Sequence, residues 1–110
     1  MPLIKAKSNT FKLKVTVPQI DAEGNITEQS VVLIARRVKE SEFQELIKQP
    51  PGELVKSVIV GWPDGEVLDG NGDSLPFSEQ NLAEQIDDPH TIRAISRAFV
   101  TTLANLPEKN

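Results

Sequence analysis

A chain of 110 residues with a formal net charge of −4 fits one domain with a modest core. It has no cysteine, which excludes a disulfide framework and a thiolate metal site. No run approaches the roughly 18 consecutive apolar residues of a membrane span, yet 38% of the residues are hydrophobic, enough to drive folding.

Charge is divided unevenly along the chain. Residues 1–60 sum to +2 and residues 61–110 to −6, and between Asp64 and Asp88 there are eight carboxylates and no lysine or arginine. Such a polar molecule can orient against a charged partner, although two ordinary solvated surfaces give the same count. The opening Met1-Pro2-Leu3-Ile4-Lys5 does not build the apolar core of a secretory leader, so the expectation is a soluble, cytoplasmic protein.

Residues 1–10 are polar and are expected to form a flexible arm. From Phe11 onward Phe11, Leu13, Val15 and Val17 alternate with Lys12, Lys14 and Thr16, the period of a strand with one buried face. Pro18 lacks an N–H and is expected to weaken the ladder there. Asp21-Ala22-Glu23-Gly24-Asn25 turns the chain into a second strand over about Ile26–Val38, giving a β-hairpin. The centre of that strand, Val31 to Ala35, is apolar on both faces, so one face meets a core and the other a helix or a partner.

Helical signals follow. Ser41 with Gln44 has the spacing of a capping box, and Phe43, Leu46 and Ile47 then share one helix face. Pro50-Pro51-Gly52 stops that helix. Leu54, Val55, Val58, Ile59 and Trp62 have helical spacing, which predicts a short helix ending at Gly61 or Pro63; Val58-Ile59-Val60 alone would also suit a strand. The glycine-rich loop from Pro63 to Pro76 is expected to contain a brief extended piece at Glu66-Val67-Leu68. Ser78 is a good N-cap for a helix to about Ile86, with Phe77 placed to staple onto Leu82. Asp88 caps the last helix, with Pro89 in its first position, and Ile92, Ile95, Phe99, Leu103 and Leu106 form its apolar stripe before Pro107 ends it.

No arrangement of residues amounts to a catalytic apparatus. Asp69-Gly70-Asn71-Gly72-Asp73 looks like the start of a calcium loop, but the required glycine and bidentate glutamate positions hold Ser74 and Gln80. The sole histidine, His90, has no nucleophile elbow to serve. The lysines near the N-terminus lack interleaved exposed aromatics and the isoelectric point is about 5.0, so they do not make a nucleic-acid footprint. There is no phosphate-binding glycine motif. Neither a cofactor nor a metal is expected. Trp62 reads as a core residue whose indole N–H bonds a loop carbonyl, or alternatively as an aromatic interface anchor.

The order hairpin, short helix, Val60-Gly61-Trp62, Asp/Gly-rich turn, Leu75-Pro76-Phe77-Ser78-Glu79-Gln80-Asn81-Leu82 and amphipathic C-terminal helix resembles the tail assembly chaperones of long-tailed bacteriophages and prophages. The likeness covers about residues 11 to 106, is sharpest from Gly61 to Leu82, and departs where Pro63 follows Trp62 directly. It implies a non-enzymatic protein that sheathes the tape measure protein, hands it to tail tube subunits and is absent from the mature virion. Chaperones of this kind often self-associate, and a hairpin edge offers a pairing site. The alternatives are a structural virion component and, more distantly, a nucleic-acid-binding accessory protein. The expected architecture is an α+β domain over residues 11–107, with the hairpin packed on about four short helices. The candidate partner-binding residues are Trp62, Asp64, Glu66, Asp69, Asp73 and Phe77.

Overall fold

Alternation and capping translate directly into the order of elements. A computed structural model describes residues 9–104. The expected arm over residues 1–10, apart from Asn9 and Thr10, lies outside the described residues, as do Leu106 and Pro107. Strand β1 (Thr10–Ile20) turns into β2 (Ile26–Arg36), followed by α1 (Glu40–Leu46), α2 (Pro51–Val58), β3 (Ile59–Gly61), α3 (Glu79–Gln85) and α4 (Pro89–Ala104). The sheet is antiparallel with the order β1-β2-β3. The α+β class, with an N-terminal hairpin and four helices, is as expected.

Leu13, Val15 and Val17 of β1, with Leu33 and Ala35 of β2, form the buried face of the hairpin. Helix α4 lies against β1 and brings Ile95 and Phe99 onto this face, and α2 packs on α4 with Leu54, Val55 and Val58. Phe99 is completely buried and stacks on Phe11 at 6.3 Å between ring centroids, while the Arg37 guanidinium sits 5.5 Å above the outer ring. On the opposite face Val32 and Ile34 are half-buried, in register with Lys14 and Lys12. The distal end of the hairpin runs past the core: every residue from Asp21 to Ser30 is exposed, and Ile20 and Ile26 pair at the tip 62% and 75% exposed.

Four expectations are corrected. Strand β1 continues through Pro18, because Pro18 faces Glu28 in a non-hydrogen-bonded pair and its nitrogen points to the free edge of the sheet. Strand β2 ends at Arg36, two residues early; the Arg36 guanidinium bonds the Ser57 carbonyl at 2.7 Å and forks onto Glu42, which fixes the exit of the chain. The capping box at Ser41 does not form: α1 starts at Glu40, so Ser41 lies inside the first turn, and Gln44 instead donates to the Glu40 carboxylate at 2.7 Å. Finally, the run from Leu54 to Trp62 is not one helix. It ends at Val58, and Ile59–Gly61 joins the sheet beside Ile34 and Ala35, since pairing satisfies the backbone of this β-branched run on the open side of β2.

The last two helices start as the sequence suggests. The Ser78 hydroxyl accepts the Asn81 N–H at 3.0 Å, and the Asp88 carboxylate accepts both the N–H and the hydroxyl of Thr91 at 2.9 and 2.8 Å. Those bonds hold the Asp88 carboxyl below the usual carboxylate range, as the hydrogen bonds and charge of Arg36 do for Glu42.

Phe99→Ala is expected to lower the unfolding free energy by about 3–5 kcal/mol in urea titrations, the cost of an aromatic cavity in a closed core. Both lowered carboxyls contribute stability that is complete above the unfolded carboxylate range and disappears as pH falls through their folded values. The urea midpoint should therefore fall on the acid side, and the double variant Glu42→Gln, Asp88→Asn should flatten that fall.

Candidate partner-binding groove

Trp62 follows β3 directly and is 7% exposed. Its indole N–H donates to the Leu75 carbonyl at 2.7 Å, and its ring meets Phe77 edge-on at 4.9 Å and 82°. Of the two sequence readings, the buried one with a bonded indole is what the structure contains. That single bond ties the start of the glycine-rich loop to its end, 13 residues later.

Between those ends the loop is a small hairpin. The Leu75 N–H bonds the Val67 carbonyl, Leu68 bridges Ser74, and the Asp69 N–H bonds the Asp73 carbonyl. The extended piece at Glu66-Val67-Leu68 is thus one arm of it. Its turn, Asp69-Gly70-Asn71-Gly72-Asp73, repeats the geometry of Asp21-Ala22-Glu23-Gly24-Asn25. In each, the first aspartate accepts the N–H groups of the third and fifth residues, at 2.8–3.0 Å. The fourth residue is a glycine at φ +84° or +85°, a conformation that costs other residues. The Asp69 carboxylate is therefore committed to its own turn. Among the described residues, no group of three or more histidine and acidic side chains is placed to hold a metal ion.

Glu66 reaches across to the sheet, where its carboxylate accepts the Val32 N–H at 2.6 Å. In this way the loop, the distal hairpin, the second half of α3 and the first half of α4 border a groove of about 600 Å³. Val17 and Val31 form its hairpin wall, Trp62 and Leu82 its floor, Val67 and the 52% exposed Leu68 its loop wall. Its polar lining is neutral (Gln19, Gln29, Gln85, Thr91) except for Glu66.

The six candidate residues do not form one cluster. Trp62 and Glu66 line the groove. Phe77 touches Trp62 but faces a second depression with Val60, Lys56 and Gln80. Asp64 is exposed in the tight turn closed by the Glu66 N–H on the Pro63 carbonyl. Asp69 organises its turn, and Asp73 is exposed beside it. The hairpin residues of the groove, Val17, Gln29 and Val31, are not among the six candidates, although the sequence reading allowed a partner on one face of Val31 to Ala35. Their signal is the odd-numbered face itself, since Val17 and Val31 continue the row of Leu13, Val15 and Leu33 toward the distal end of the hairpin.

Asp69→Ala should loosen the loop without unfolding the core, because it removes the acceptor of two backbone N–H groups. Amide exchange of Asn71 and Asp73 is expected to accelerate, with a loss of about 1 kcal/mol in stability. Millimolar Ca²⁺ should leave the melting temperature of the unmodified protein unchanged, since a native-state ligand would raise it.

No protein-family model matches the chain, and neither does any curated protein or solved structure.

Proposed function

We propose that this protein is a tail assembly chaperone of a long-tailed bacteriophage or prophage, acting by reversible protein binding without catalysis. It binds the tape measure protein, holds it soluble in the host cytoplasm, and yields it to tail tube subunits as they polymerise. The observation that supports this reading is convergence. Of the residues that carry the resemblance, Trp62 and Leu82 share the floor of the apolar groove, and Leu75 holds Trp62 in place. A groove with apolar walls and few charges is suited to cover a hydrophobic stretch that would otherwise aggregate. The Asp64 and Asp73 carboxylates accept no hydrogen bond among the described residues and are exposed, so they are available to steer a basic partner.

Co-expression with a tape measure fragment should shift that fragment from the insoluble to the soluble fraction, and the two should co-purify. Val67→Asp with Leu68→Asp is expected to abolish co-purification while leaving the far-UV circular dichroism unchanged. Reversing Asp64 and Asp73 to lysine should weaken it, most clearly at low salt. No solubilisation by the folded, unmodified protein would overturn the chaperone reading and favour a component that stays in the virion.

A further inference from the structure

The three-stranded sheet has an edge that stops halfway. Strand β2 is paired with β1 along its whole length, but with β3 only at Ile34↔Gly61 and Ala35↔Ile59. The Asp21 N–H bonds the Asn25 carbonyl and the Arg37 N–H bonds the Asn9 carbonyl, so in the β1–β2 ladder the odd-numbered residues are the hydrogen-bonded ones. The even-numbered residues of β2 therefore turn their N–H and C=O groups away from β1. Ile34 gives its groups to β3 and Val32 gives its N–H to the Glu66 carboxylate. Ser30 and Glu28 come next, exposed, and among the described residues nothing bonds their N–H groups. The reason β3 stops is visible in the register: continued by two residues it would bring Pro63, which has no N–H, opposite Val32.

Ser30 lies on the groove wall between Gln29 and Val31. We infer that the groove takes an extended segment of the partner protein, added as a strand to the open edge of β2 at Glu28–Ser30. This rests on the groove being the partner site and says how the partner is held. Backbone pairing along β2 supplies affinity, and alternate side chains of the segment enter between Val17, Val31 and Val67. The Glu66 carboxylate already places an oxygen where a neighbouring strand would place a carbonyl, and so marks the line that the segment follows. Charge selects its composition. No lysine or arginine lines the groove, Glu66 is on its wall, and Asp88 is bonded to the lining Thr91. The segment therefore carries lysine or arginine beside its apolar residues.

The probe is a synthetic peptide of about ten residues, alternating valine with threonine and flanked by lysines, read by fluorescence anisotropy against the full chain. Binding is expected, with salt weakening it and with slowed amide exchange at Glu28 and Ser30. Methylating the peptide nitrogens that face β2 should reduce affinity roughly tenfold or more, by removing at least one backbone bond and introducing a clash. Ser30→Pro should do the same, since it deletes an outward N–H while the pairing with Thr16 needs none. Should that variant misfold, the methylated peptide tests the same contact on the unmodified protein. Equal binding of both peptides, or no binding of either, overturns the strand mode. A peptide that binds as expected while no tape measure fragment co-purifies would remove the chaperone reading and leave the strand mode standing. Co-purification indifferent to Ser30→Pro would remove the strand mode alone.

Discussion

Burial of Trp62 with its indole bonded to the Leu75 carbonyl is the constraint on which the functional half of the molecule depends. An unbonded indole N–H in that position would cost about 1–3 kcal/mol, so the two ends of the loop are held together by a real penalty for parting. Everything downstream takes its position from that closure. Phe77 is placed against the indole edge, Ser78 then stands at the start of α3 as its cap, and Leu82 falls under the same ring system. Upstream, Trp62 anchors the end of β3, which is too short to hold itself to the sheet by two residue pairs. The junction thus joins sheet, loop and helix.

The acidic loop looks in sequence like a charged recognition surface, and in structure much of that charge has a local task. Asp69 and Asp21 each close a five-residue turn, and Asp88 closes the first turn of α4. Glu66 satisfies a backbone N–H of the sheet. Carboxylates are used here as acceptors for N–H groups that tight turns, a helix start and a sheet edge would otherwise leave open. What remains for long-range attraction is the net field of the segment, since no cation lies between Asp64 and Asp88 to neutralise it.

Elements whose signals are local were legible in the sequence. The hairpin follows from strict alternation at Phe11–Val17, and α3 and α4 follow from Ser78 and Asp88 with the apolar stripes behind them. The misreadings share a cause, which is competition from distant groups. Leu54 to Trp62 carries helical spacing throughout, but the open side of β2 claims Ile59–Gly61 as a strand. Ser41 has the right neighbour for a capping box, but the helix begins one residue before it. Pro18 is tolerated only because its strand lies at the sheet edge, a fact of topology rather than of composition. The groove was half legible: Trp62 and Glu66 were singled out, while its hairpin wall depends on the distal strands running past the core.

Exposed strand edges invite unwanted pairing, and this sheet guards them unevenly. The free edge of β1 carries Lys12 and Lys14 and is interrupted by Pro18. On β2, β3 covers one part and the Glu66 carboxylate the next. The stretch left open, Glu28 to Ser30, reaches the apolar groove through Gln29 and Ser30. Charge limits what can use it. Glu66 stands at one end of it, and among the described residues no lysine or arginine lines the groove beside it. A basic, apolar segment is favoured by that charge. The carboxylate that substitutes for a missing backbone partner at Val32 thus also biases what can pair along the open stretch beside it.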